Sequence, residues 1–138
     1  MKRGFTLIEI VLVVVLVGVL AAFAISNYVA IKEKTLNRQA KAILLLIRAA
    51  EKNYRMEYNN YYPYPAATET TMSVINRDLK LSLPVTVSTS WGWLIGVNSA
   101  TGSATATRTG ADARVWTINF SGDADPTCPS GTYTYCSS

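Results

Sequence analysis

Few residues in this chain could do chemistry. Histidine is absent from its 138 residues, which removes the base that Ser-His and Cys-His nucleophile pairs require. The nine acidic residues form no obvious acid–base pair, and no glycine-rich phosphate loop is present. Three small groups remain. Glu9 stands at the mouth of a run, 10–25, that has no polar side chain. Asp123 and Asp125, beside Gly122 and before Pro126, could offer oxygen ligands to calcium, although a polar turn is the plainer reading. Cys128 and Cys136 form an isolated pair that reads as a disulfide, with two reduced thiols as the other reading. The bridge would close a loop of about nine residues and contribute roughly 2–3 kcal/mol in the chain-entropy model. Their spacing does not suit a zinc ribbon, and no histidine could complete such a site. No cofactor and no enzymatic activity are expected.

Glu9 draws attention because of its surroundings. Residues 5–25, as a helix rising about 1.5 Å per residue, span roughly 30 Å, the thickness of a bilayer core. Lys2 and Arg3 precede the run, so the positive-inside rule places the N-terminus in the cytoplasm. The run is too long for an ordinary secretory signal, and 21–24 is a poor cleavage site. A carboxylate at the centre of a membrane helix costs about 2.5–3.5 kcal/mol, less near an end. A plain anchor with Glu9 snorkelling to the interface is one reading. It leaves Gly4 and the string 4–9, Gly-Phe-Thr-Leu-Ile-Glu, without a reason. A cut after Gly4 would give both a role: Phe5 would gain a positive amine, and Glu9 of a neighbouring subunit could pair with it inside an apolar assembly. A buried charge alone is costly, and a buried pair is tolerable.

Lys2-Arg3-Gly4 followed by Phe5-Thr6-Leu7-Ile8-Glu9 and a long apolar helix resembles the prepilin leader and N-terminus of type IV pilins and type II secretion pseudopilins. The resemblance is strong over about residues 1–28 and weakens beyond. It implies cleavage between Gly4 and Phe5 by a membrane-embedded prepilin peptidase, N-methylation of Phe5, and a role for Phe5 and Glu9 in setting subunit register. It also implies a precursor in the bacterial inner membrane, a homo-oligomeric helical filament, and an assembly platform with motor machinery. Many family members carry proline where this chain has Ser26, so only Gly18 is a built-in weak point and a continuous helix is expected. The C-terminal disulfide loop is similar to that of many type IV pilins. Major pseudopilins carry a calcium site in the same region, which is why Asp123 and Asp125 are of interest.

The rest of the sequence must position these groups. Leu36, Ala40, Ile43, Ile47, Ala50, Tyr54 and Tyr58 recur at steps of three and four, one stripe of an amphipathic helix. Lys34, Arg38, Lys41, Glu51, Lys52 and Arg55 fall mostly elsewhere, with Glu51 and Arg55 spaced for an i,i+4 ion pair. Asn59, Asn60, Pro63 and Pro65 stop the helix, so it should run over about 5–60. Tyr58, Tyr61, Tyr62 and Tyr64 are expected to pack on the helix end, with a binding surface as the alternative. A short helix is expected near 73–79. Strands are expected at 91–97, 103–108 and 113–120, with turns at 98–102 and 109–112, and a short final strand at 133–135. In 113–120, Val115, Thr117 and Asn119 should share one face, and Arg114, Trp116, Ile118 and Phe120 the other. Asn119-Phe120-Ser121 matches a glycosylation sequon too short to carry weight.

The expected fold is therefore α+β: a long N-terminal helix with a small antiparallel sheet on its C-terminal half. Residues 1–4 are the leader, 5–27 the apolar helix half, and 28–138 the head, with a loop at 59–90, a meander at 91–120 and a disulfide loop at 121–138. The net charge of +4 falls to +2 without Lys2 and Arg3, and no basic block marks a nucleic-acid partner. The expected function is a subunit of a type IV pilus, displayed at the cell surface after assembly. The alternatives are a pseudopilin of a type II secretion system and a minor pilin with an adhesive or DNA-binding head.

Overall fold

The computed structural model describes residues 5–84, 92–108, 113–128 and 135–136; within these, nothing is said of the side chains of 23–27. A single helix, α1 (Leu7–Tyr58), takes up 52 residues, about 78 Å at the standard rise. It contains no proline, and it passes Gly18 and Ser26 without interruption, as expected. Its start is set by Thr6, whose carbonyl accepts from the N–H groups of Glu9 and Ile10. Its end is set by Asn59, whose N–H donates to the Arg55 carbonyl at 2.8 Å and whose φ is 56°. That left-handed stop suits asparagine among the non-glycine residues.

The chain divides into two compact units, Met1–Thr35 and Leu36–Ser138. In the first, every described side chain over 7–22 is exposed, including Leu7, Ile8, Val14 and Leu20. Among the described residues no helix is long and apolar enough to cross a membrane. The described part of the apolar run, 7–22, spans about 24 Å as helix, and the last positions of the 5–25 run fall among residues whose side chains are not described.

The second unit holds the core. Ala40, Leu44 and Ile47 of α1 are almost fully buried, together with Ile75, Trp93, Ile95, Val97, Ile118 and Phe120. A short helix, α2 (Met72–Asp78), contributes Met72 and Ile75. A four-stranded antiparallel sheet in the order β1-β2-β3-β4 contributes Trp93, Ile95, Val97 and Ile118, and Phe120 follows its last strand. Its strands are β1 (Thr68–Glu69), β2 (Trp93–Asn98), β3 (Ser103–Arg108) and β4 (Arg114–Asn119). The register pairs Trp93 with Arg108, and Arg108 with Arg114. In β4 the expected alternation holds: Arg114, Trp116 and Ile118 are buried, while Val115 and Thr117 are half-buried and Asn119 exposed. The turn between β2 and β3 needs Gly102, whose φ of +59° strains any residue with a Cβ. This is the α+β arrangement expected of the pilin fold.

The structure differs from the expectations at several points. β1 is two residues long, too short to carry a periodicity, and it exists by pairing with Val97 and Asn98. Glu51 is not on the solvated side of α1 but fully buried. The expected Glu51–Arg55 pair is absent, because Arg55 instead donates to the Tyr61 hydroxyl at 2.6 Å and lies 4.8 Å from that ring. Tyr62 is buried and Tyr61 half-buried against the core, as packing predicts, whereas Tyr58 and Tyr64 are exposed. Of the strand expected at 133–135, residues 133 and 134 lie outside the described residues and Tyr135 lies in a turn; the turn at 109–112 lies outside the described residues.

Candidate functional site

At the N-terminus, Gly4 lies outside the described residues and Phe5 is 80% exposed. Thr6-Leu7-Ile8-Glu9 makes the carboxylate half of a capping box. Thr6 is the N-cap, and the Glu9 carboxylate reaches back one turn. Its Oε2 accepts from the Thr6 N–H at 3.4 Å and from the Thr6 hydroxyl at 3.3 Å. Such a box satisfies a backbone donor that the first helical turn otherwise leaves open. The sequence carried this signal in its T-x-x-E spacing, and it supplies a local reason for Glu9 beside the intersubunit one. The negative charge also sits at the positive end of the helix macrodipole. The result is a bare apolar helix surface whose described part, 7–22, contains a single charged side chain, Glu9.

Two polar groups are built into the head. Asn37, 1% exposed, joins three elements. Its Oδ1 accepts from Arg114 Nε at 2.7 Å and from Trp116 Nε1 at 3.3 Å, and its Nδ2 donates to the Tyr135 carbonyl at 2.6 Å. The Arg114 guanidinium, itself buried, lies 5.1 Å from the centre of the Trp93 ring and 5.7 Å from that of Tyr135. Cys136, the neighbour of Tyr135, is bonded to Cys128. Asn37 thus ties Tyr135 to α1 and β4, and the disulfide ties the adjacent Cys136 to Cys128.

The second group is Glu51. Its Oε2 accepts from the Tyr62 N–H at 3.0 Å, and its Oε1 has no hydrogen-bond partner among the described residues. Burial pushes its pKa up to about 7, against the lowering effect of that N–H. A carboxyl with a raised folded-state pKa binds its proton more tightly when folded, so stability falls as pH rises from about 4.5 through about 7. The full loss is about 3 kcal/mol. Denaturant titrations between pH 5 and 7.5 should show this decline, and Glu51→Gln should remove most of it. Parallel pH profiles for the two proteins would contradict the assignment.

The candidate calcium ligands sit in a different environment. Lys52 Nζ lies 2.6 Å from Asp123 Oδ1, and Arg48 donates to the carbonyls of Gly122 and Ala124. The Lys52 hydrogen bond holds the Asp123 carboxyl below the ordinary range. Cationic side chains of α1 thus engage one Asp123 oxygen and two neighbouring carbonyls. Asp125 is exposed, and among the described residues no group of three acidic or cysteine side chains could hold a metal.

Comparison with known proteins points to the N-terminus. The family described as "Prokaryotic N-terminal methylation motif" matches residues 1–25. The chain is 39% identical over 60 residues to the type IV major pilin protein PilA of Myxococcus xanthus, covering 44% of this chain and 27% of that one. It is 39% identical over 62 residues to the type II secretion system core protein G of Pectobacterium carotovorum, covering 45% and 39%. For the core protein G of Escherichia coli K12 the identity is 37% over 62 residues, covering 45% and 42%. The matched regions thus span well under half the length of these relatives. No solved structure matches.

Proposed function

We propose that this chain, which belongs to the type IV pilin and pseudopilin superfamily, is a structural subunit of a type IV pilus and is matured by cleavage between Gly4 and Phe5 and N-methylation of Phe5. It is not an enzyme; the relatives it matches are structural pilin and pseudopilin proteins. The single observation that carries the filament reading is the exposed apolar surface of 7–22, with Glu9 as its only charge. A surface of that size needs a lipid or protein cover. Lipid covers it in the precursor, held in the inner membrane with Lys2 and Arg3 in the cytoplasm. Other copies of the same helix cover it in the filament, where Glu9 pairs with the Phe5 amine of a neighbour. Prepilin peptidase, an assembly platform and a motor are the partners this route requires.

The Cys128–Cys136 disulfide supports the pilus over the secretion pseudopilus, since it bounds a C-terminal loop of the kind many pilins share. The hold of Lys52 on Asp123 Oδ1 and of Arg48 on the Gly122 and Ala124 carbonyls supports the same choice. A second reading, a pseudopilin of a type II secretion system, is favoured by the likeness to core protein G. Replacing Gly4 by a bulky residue such as leucine tests the maturation step. The expected result is full-length precursor in the membrane fraction, with at least a tenfold loss of the processed form. A free Phe5 N-terminus at normal abundance in that variant would contradict the leader reading.

A further inference from the structure

At the C-terminal end of α1 lies a cleft of about 430 Å³, lined by Tyr54, Tyr58, Tyr62, Tyr64, Glu69 and Asp78 among others. The tyrosine rings do not form a flat stack. Tyr54 and Tyr58 are 4.5 Å apart between centroids at an interplanar angle of 32°, while Tyr54 and Tyr62 are 5.7 Å apart at 74°. Packing consumes only part of this aromatic surface, since Tyr58 is 53% and Tyr64 68% exposed. No lining residue is cationic. Glu69 has no ion-pair partner among the described residues; its Oε1 accepts from the N–H groups of Thr70 and Thr71, which keep the carboxyl below its ordinary range and therefore ionised. Asp78 is already engaged by Arg77 at 2.6 and 3.1 Å and by the Tyr62 hydroxyl. The cleft therefore combines several electron-rich rings with one carboxylate that makes no ion pair among the described residues, while the nearby Arg77 guanidinium is held on Asp78.

That chemistry selects against anions and gives neutral ligands no electrostatic advantage. A cation over a tyrosine face is attracted by the ring quadrupole, more strongly as it is desolvated, and quaternary ammonium groups are ligands that aromatic clefts recognise readily. We propose that this cleft binds a small organic cation of the alkylammonium or guanidinium class, with the tyrosine rings as walls and Glu69 as counter-charge. The inference concerns the head alone and stands whether the filament is a pilus or a pseudopilus. The cation can be a free small molecule or the side chain of a lysine or arginine in another protein, and both present the same group to the cleft.

The test uses the full chain in a maltoside detergent, which carries no cation of its own. Saturation-transfer NMR is read on the N-methyl protons of choline and on the side-chain protons of acetyl-Gly-Arg-Gly-amide. Saturable transfer is expected, with affinity at least fivefold weaker in Tyr58→Leu and severalfold weaker in Glu69→Gln. The uncharged isostere 3,3-dimethylbutanol should bind at least tenfold more weakly than choline. Tighter binding of choline supports a free cation as the source, and tighter binding of the peptide supports a protein side chain. Equal binding of the uncharged isostere, no saturable transfer from either probe, or unchanged affinity in both variants would overturn the proposal. Glutamine at position 69 retains an oxygen for the Thr70 and Thr71 N–H groups, so that variant decides the matter even where Tyr58→Leu lowers stability.

Discussion

Replacing Glu9 by valine is expected to leave cleavage after Gly4 intact and to lower the yield of assembled filaments by more than tenfold. In the isolated chain the Glu9 carboxylate accepts from the Thr6 N–H and hydroxyl, an exposed arrangement in the unit Met1–Thr35, outside the head. In the proposed filament, assembly would change the environment. When the bare side chains of 7–22 are covered by other helices, water leaves and the effective dielectric falls. The positive amine of a processed Phe5 then has to be paired. Removing one partner of a buried ion pair costs about 3–5 kcal/mol, because the remaining charge is left uncompensated. Each 1.4 kcal/mol is about tenfold in an association constant, and a polymer repeats the loss at every subunit. Valine suits the apolar surroundings, so membrane insertion of the precursor is unharmed. Sheared-filament yield and the N-terminal sequence of the membrane-bound chain are the two readouts. A normal yield of filaments from Glu9→Val would contradict the pairing role.

The second large effect is predicted at Asn37. Asn37→Leu should lower head stability by about 3–5 kcal/mol, as each buried polar group deprived of its partner costs about 1–3 kcal/mol. Arg114 Nε and Trp116 Nε1 both lose their acceptor on Oδ1, and the Tyr135 carbonyl loses its donor. All of this happens where Asn37 is 1% exposed and water has no ready access. Leucine is also differently shaped, which adds packing strain. For a domain of about 100 residues the loss corresponds to a fall in Tm of more than about 10 °C. Loosening of the C-terminal loop should accompany it, seen as faster hydrogen exchange near Tyr135. A change under about 1 kcal/mol by chemical denaturation would contradict the network's role.

Much of this was legible in the sequence, and the reasons for success and failure are physical. The N-terminal string was readable because its chemistry is local: a short basic tag, a glycine, a carboxylate and an apolar run follow one another directly. β4 was readable because half-burial imposes a period of two, so even Arg114 fell on the inward face by alternation. The stripe on α1 was readable over Leu36, Ala40, Ile43, Ile47 and Ala50, all buried, while Tyr58 at its end is exposed. It missed Asn37, Leu44 and Glu51, which are buried beside it. Two of these are polar, so an apolar pattern passes over them. Glu51 was assigned to Arg55 because helical spacing allows the pair, yet its partner is the Tyr62 N–H, supplied by the loop after the helix. Partners contributed by distant segments, such as Tyr135 for Asn37 and Asp123 for Lys52, leave no trace in local spacing. Nor does β1, whose two residues form a strand only because β2 offers an edge. The capping box was visible in T-x-x-E, and it was overshadowed by the intersubunit role of the same glutamate.

The central claim, a cleaved and polymerised subunit, is tested most directly by intact-mass analysis of two fractions of the source cells: filaments sheared from the surface, and washed membranes. The expected result is abundant chain in the sheared fraction that begins at methylated Phe5 and is lighter by the two hydrogens lost on joining Cys128 to Cys136. The same processed mass confined to the membranes would transfer the reading to the pseudopilus. A chain that still begins at Met1 in both fractions would contradict the account built on Gly4, Phe5 and Glu9.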